Sequence, residues 1–235
     1  FLRFVRAHEG RMARVEDRSK ELETLWVCGD LSIVALAAAG IMVPDGEARV
    51  IAVGQGNGEM LLARPHGSAH FRAVLVAPPE AIERAMAGLA LAGAVPGDPD
   101  DLEAARILAG WPRLGAEIQE KTLPQEVRYD ALQGVSYTKG CYLGQETVAR
   151  LHFRGHTNRE MRGLVWTGVP ALEDNTVLGK EGQDVGTIGS LLVLPKVTVG
   201  LAILRREVNP GDVVSTGGQH ARVVPLPFNA FASIA

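Results

Sequence analysis

Between residues 161 and 228 the apolar residues come in short runs: Leu164-Val165-Trp166, Val185 to Ile188, Leu191 to Leu194, Val199 to Leu204, Val213-Val214 and Val223-Val224. Glycines, prolines and the turn Asn209-Pro210-Gly211 separate them. Short strands broken by frequent turns restrict this part of the chain to a small antiparallel barrel or sandwich.

Upstream the pattern is mixed. Residues 47–53 and 60–64 read as strands, with Gly54-Gln55-Gly56-Asn57-Gly58 as a hairpin turn between them. That glycine run lacks the following Lys-Ser/Thr of a phosphate loop. Residues 71–76 read as a further strand, stopped by Pro78-Pro79. Ile82, Ala85, Met86 and Leu89 have helical spacing within 80–92. Gly97-Asp98-Pro99-Asp100-Asp101 reads as a helix start, and the helix runs through Leu102 to Leu108 before Gly110-Trp111-Pro112. Leu31 to Val43 reads as a buried helix, too short to cross a bilayer. The expected fold class is α+β, with a first domain over 1–158 and a C-terminal β-barrel domain over 159–235. The sequence opens on Phe1, not Met, and the first domain is read as N-terminally incomplete or gapped.

Composition narrows the function classes. Net charge is −3 at pH 7, so the global balance favours neither nucleic acid nor membrane as a partner. Two cysteines, Cys28 and Cys141, are too few for a disulfide-built secreted domain. With no signal peptide apparent behind Phe1, the expected location is cytoplasmic. Two Cys and scattered His assemble no structural zinc site and no four-thiolate cluster. Cys28, between Trp26-Val27 and Gly29-Asp30, reads as inert core or strand edge. Trp111 reads as a packing residue.

Chemistry concentrates in Lys139-Gly140-Cys141-Tyr142-Leu143-Gly144-Gln145-Glu146. Two glycines flank the Cys-Tyr pair and permit a tight turn or close approach to a ligand. The helix formers after Glu146 put Cys141 just ahead of a helix N-terminus, and Lys139 adds a positive charge. Both favour a thiolate, which is the nucleophile and the metal ligand. The other reading is a small buried hydrophobe. Tyr142 is either a stacking platform for a flat ring or a core aromatic. From Lys139 to Arg162 the bases Lys139, Arg150, Arg154, Arg159 and Arg162 outnumber the acids Glu146 and Glu160, leaving a net +3. This is either an anion site, with RNA phosphates among the anions it would suit, or a solvated face. His152 and His156 are four apart, but Gly155 interrupts the helix and no third ligand is evident.

The run Lys139-Gly140-Cys141-Tyr142-x-Gly144-Gln145-Glu146 resembles the K-G-C-Y-x-G-Q-E signature of the YgfZ-type branch of the glycine-cleavage T-protein-like, folate-binding family. The likeness continues through Val148-Ala149-Arg150, Arg154-Gly155, Arg106-x-x-x-Gly110, Pro124, Val185-Gly186, Ser190 and Leu226-Pro227-Phe228, covering roughly residues 104–228. It implies a T-protein-like fold with α+β subdomains that accept a tetrahydrofolate-type molecule, plus a C-terminal antiparallel barrel. It also implies an accessory role toward iron–sulfur enzymes, tRNA-modifying ones among them. Cys141 and Lys139 are then the expected catalytic positions. Gly140, Tyr142, Gly144, Gln145, Glu146, Arg106, Glu117 and Arg150 are the expected folate positions, with no metal. The aminomethyltransferase branch of the family differs. It carries Asp at the position of Cys141 and an R-x-E-x-G pattern whose Glu is Leu108 here. A one-carbon transferase and an RNA-binding adaptor are the two competing functions.

Overall fold

A computed structural model describes residues 16–46, 49–53, 60–65, 70–170, 177–216 and 218–228. The chain divides between Pro96 and Gly97 into two compact units. The expected hairpin turn at 54–58 lies outside the described residues.

The first unit pairs β1 (Glu23–Cys28), β2 (Arg49–Val53), β3 (Met60–Arg64) and β4 (Phe71–Ala77) in an antiparallel sheet of order β1-β4-β3-β2. In β4 burial alternates strictly, with Phe71, Ala73, Leu75 and Ala77 inward. This is the period-2 pattern of a strand with one face on the core. Helix α1 (Ser32–Ala38) and helix α2 (Pro79–Leu91) complete the unit. Ala81, Ile82, Ala85 and Leu89 of α2 join Leu36, Leu62 and Leu75 in one core cluster. Met86 is 43% exposed and not part of that face. The expected buried helix over 31–43 is also corrected. It is a seven-residue helix that buries Leu36 and leaves Leu31, Val34 and Met42 exposed. Gly40, at φ +73°, turns the chain out of the helix, so that Ile41 donates to the Leu36 carbonyl and returns to the core.

The second unit begins with helix α3 (Pro99–Leu108). Asp98 caps it by accepting from the amides of Asp100 and Asp101, while the Asp101 carboxylate takes the Asp98 amide. A long turn-rich stretch leads to helix α4 (Gln145–Arg154). Six strands follow: β5 (Arg159–Thr167), β6 (Val177–Lys180), β7 (Gln183–Val193), β8 (Val197–Arg205), β9 (Val213–Thr216) and β10 (Gln219–Val224). They close as an antiparallel barrel in the order β10-β5-β8-β7-β6-β9. Leu164, Trp166, Leu178, Ala202, Leu204, Val214, Ala221 and Val223 form one cluster. Met161, Val199 and Leu201, of opposite parity on β5 and β8, pack with Ile107, Leu108 and Phe228 in a second. That is why Val199 to Leu204 is apolar without alternation: β8 is covered on both faces.

The fold class is therefore mixed α+β with a C-terminal six-stranded antiparallel barrel. One element differs from expectation. Val185 to Ile188 and Leu191 to Leu194 are not two strands: the first run and most of the second lie on the single strand β7, whose register with β8 shifts between Ile188 and Ser190. Among the described residues no helix is long and apolar enough to cross a membrane.

Candidate functional site

The Lys139–Glu146 segment is a surface loop that runs into α4. The Lys139 amide donates to Ser136 Oγ at 3.2 Å, and the Gln145 amide donates to the Tyr142 carbonyl at 3.2 Å. Gly144 is the residue before the helix, at φ +83°, a conformation that explains its lack of a side chain. Gln145 opens α4, and Glu146 stands in its first turn, where a carboxylate complements the positive end of the helix. Lys139, Gly140 and Cys141 are exposed, and Leu143 is 90% exposed. Both cysteines are free thiols, and Cys28 is exposed at the end of β1, not in the core. The Lys139 ammonium stands 4.8 Å from the centroid of the Tyr142 ring, a cation–π contact. Tyr142 is half-buried, and its hydroxyl is shielded from solvent with no hydrogen-bond partner among the described residues. A side chain at Gly140 would meet no atom within 4 Å.

Arg106 and Glu117 are brought together, but as part of the scaffold. Arg106 Nε and Nη2 grip the Glu103 carboxylate at 2.7 Å each. Nη2 also donates to Ser190 Oγ on β7 at 2.7 Å, and Nη1 donates to the Trp111 carbonyl and lies 3.5 Å from Glu117 Oε2. Glu117 is 1% exposed and accepts from the Arg113 amide at 2.9 Å. The fork of Arg106 thus ties α3, the turn after it and a barrel strand together. Leu108, at the position of the R-x-E-x-G glutamate, is buried against Met161, Val199, Leu201 and Phe228. There it serves packing.

Three residues beside the loop, Asp130, Tyr137 and Phe153, escaped the sequence reading, and they gather around His152, considered there only with His156. Tyr137 stacks on His152, with ring centroids 3.8 Å apart and planes 20° apart, and Phe153 meets both rings edge-on. The Tyr137 hydroxyl donates to Asp130 Oδ1 in a short contact, and Asp130 Oδ2 lies 3.9 Å from His152 Nδ1. No spacing rule links position 130 or 137 to a helix surface, so only their shared side chains could have shown it. Burial, then the bond to Asp130, pushes the Tyr137 phenol up to about 12. The fold favours the neutral phenol, so this contribution is complete below the ordinary value of 10.0 and is lost as pH rises through about 12. Tyr137→Phe is expected to remove the most alkaline phase of a spectrophotometric tyrosine titration and to flatten the loss of stability over that window. A titration unchanged by the substitution contradicts the Asp130 bond.

Of the basic residues from Lys139 to Arg162, Arg159 pairs with the buried Glu126 at 3.0 Å and Arg162 with Glu160 at 2.6 Å. Arg150 and Arg154 are exposed on α4 without an ion-pair partner among the described residues. Among those residues no group of three His, Cys, Asp or Glu is arranged to hold a metal ion.

No family model matches the chain. It is 29% identical over 226 residues to the tRNA-modifying protein YgfZ of Vibrio vulnificus, an alignment covering 92% of this chain and 66% of that protein. It is 32% identical over 133 residues to the protein of the same description from Vibrio atlanticus, and 33% identical over 131 residues to that from Yersinia pestis. Those two alignments cover 52% of this chain and 41% and 40% of the relatives. The chain thus spans less than two thirds of the length of these relatives. Its fold matches the glycine cleavage system aminomethyltransferase T of Bartonella henselae with a TM-score of 0.57 at 20% identity, covering 84% of this chain and 56% of that one.

Proposed function

We propose that this chain, a homologue of YgfZ with the fold of the glycine-cleavage T-protein, is a tetrahydrofolate-binding accessory protein for the assembly or repair of iron–sulfur enzymes, tRNA-modifying ones among them, acting through the Cys141 thiol. The observation that carries the reading is an exposed Cys141, outside any disulfide, on a loop with the K-G-C-Y-x-G-Q-E sequence. The likeness to proteins described as tRNA-modifying supports the client class.

The residues of this loop suit a flat, anionic ligand. Tyr142 offers a ring face and a buried hydroxyl without a partner, and an unpaired buried polar group costs roughly 1–3 kcal/mol until something bonds to it. Lys139 supplies a positive charge beside that ring. Gly140 leaves open space, so a ligand can approach the backbone. Bound folate would supply the pterin one-carbon carrier, and Lys139, Gly140 and Tyr142 would hold it. Arg106 and Glu117, bonded into the scaffold, would act only by fixing α3 and β7. The exposed thiol would act as nucleophile or as transient metal ligand for the client. Leu108 in the core leaves no carboxylate at the R-x-E-x-G position, which argues against aminomethyl transfer.

The test is Cys141→Ala in a strain that depends on this protein for an iron–sulfur enzyme, paired with tetrahydrofolate titration. The variant is expected to fold, to bind tetrahydrofolate within about threefold of the parent, and to lose complementation. In the parent, saturating tetrahydrofolate is expected to slow alkylation of Cys141. Full complementation by a folded variant removes the thiol from the mechanism. Tetrahydrofolate binding unaffected by Tyr142→Ala removes the loop from the folate site.

A further inference from the structure

We infer that the second unit carries an RNA-backbone site where the start of β5 meets the end of β8, with Phe153 as a base-stacking platform at its edge. This rests on the tRNA-linked reading above but assigns residues outside the Cys141 loop.

His156, Asn158, Arg159, Arg205, Arg206 and Glu207 line an open depression of about 610 Å³. Arg159 and Arg205 are direct cross-strand partners on β5 and β8. Like charges in that position destabilise a sheet, so stability does not account for the pair. Acidic neighbours offset it only in part. Glu126 holds Arg159 at 3.0 Å, while Glu207 is 4.0 Å from Arg205 with both side chains about half exposed or more. Arg206 is fixed through its backbone, its amide donating to the Asn158 carbonyl at 2.9 Å. Its guanidinium has no ion-pair partner among the described residues. Arg154, also without one, closes α4 two residues before His156. Phe153 is 69% exposed while braced edge-on by His152 and Tyr137, and three residues of chain, at most about 11 Å, separate it from His156.

An open depression lined by three arginines suits a phosphate backbone better than a small ligand, because small-molecule sites bury most of their ligand among apolar walls. Cations that track a backbone beside an exposed aromatic ring are the arrangement that binds single-stranded nucleic acid. The net charge of −3 does not oppose this, since at physiological salt charges act over only about 8 Å.

The test uses the full chain, bulk tRNA as probe and heparin as control, with affinity measured against potassium chloride concentration. The parent is expected to bind tRNA with a steep inverse dependence on salt. Arg205→Ala/Arg206→Ala should weaken binding at least tenfold at low salt and reduce the log–log slope by about 2, one unit for each phosphate left without its arginine. The Arg205→Lys/Arg206→Lys variant should retain most of the slope. Phe153→Ala should lose about tenfold in affinity with the slope unchanged, because stacking releases no counterions. All three variants should keep the parent's thermal unfolding, tetrahydrofolate affinity and Cys141 alkylation rate. Absent tRNA binding, tRNA binding indifferent to the double alanine variant, or heparin affinity matching that for tRNA would each overturn the site, and the thiol proposal would stand. Lost tRNA binding in the arginine variants, together with full complementation by Cys141→Ala, would uphold the site and sink the thiol proposal.

Discussion

Arg106→Ala is expected to destabilise the second unit by about 3–5 kcal/mol, the cost of removing one partner from a buried ion-pair network. The Arg106 side chain is 11% exposed and Glu117 is fully covered. After truncation, Glu117 keeps only the Arg113 amide at 2.9 Å as a short bond, Ser190 Oγ and the Trp111 carbonyl lose their donor, and Glu103 retains only the more exposed Arg113 at 3.2 Å. A lysine would restore the charge but not the fork that meets Glu103 and Ser190 at once, so Arg106→Lys should recover less than half of the loss. The pH dependence provides a second check. The bond from Arg106 holds the Glu103 carboxyl below its ordinary value of 4.5. That contribution is present above 4.5 and is lost as pH falls through the lower folded value. In Arg106→Ala this acid limb should flatten. Urea unfolding followed by far-ultraviolet circular dichroism measures both effects. A loss under about 1 kcal/mol, with the acid limb unchanged, would show that Arg106 is not the tie described.

The barrel was legible in the sequence because turn residues and apolar runs are local signals. The β6 strand was missed because Val177-Leu178-Gly179-Lys180 is four residues long and contains a glycine. The β7 strand was read as two because its register shift puts glycine and serine between apolar residues, which in sequence looks like a turn. The helix starting at Pro99 was readable from its capping residues. The exposed face of Leu31 to Val43 was not, because Val34 and Met42 look as buried as Leu36 until the sheet beside them is known. In the candidate site, the loop from Lys139 to Glu146 was recognised from contiguous residues. Arg106 and Glu117 are expected as folate positions from the family resemblance alone, and no sequence spacing shows that Ser190, 84 positions away, engages Arg106. The Arg159–Arg205 pair likewise depends on β5–β8 register, which one-dimensional spacing does not contain.

Gly186→Ala should be the most damaging glycine substitution in the barrel, costing about 3 kcal/mol or more, at or above the upper end of ordinary overpacking. Gly186 lies opposite Leu204 on β8 and Leu178 on β6, so strands flank it on both sides. An added Cβ would stand 2.1 Å from the Ile203 carbonyl oxygen and 2.9 Å from the Leu204 Cα. Both are backbone atoms of β8, which is held on its other side by unbroken pairing with β5, so relief requires β7 and β8 to separate, which breaks ladder bonds. Gly163 provides the comparison. There the new Cβ would meet Val224 Cγ2 at 2.8 Å and Phe228 Cε1 at 2.9 Å, side-chain atoms that can shift. Gly163→Ala should therefore cost less, and Gly140→Ala, which meets nothing within 4 Å, should stay within about 0.5 kcal/mol of the parent. Chemical denaturation of the three variants tests the order. Gly186→Ala with near-parental stability would mean that β7 and β8 are not paired in this register, and the cross-strand placement of Arg159 and Arg205, which depends on the same β8, would need independent support.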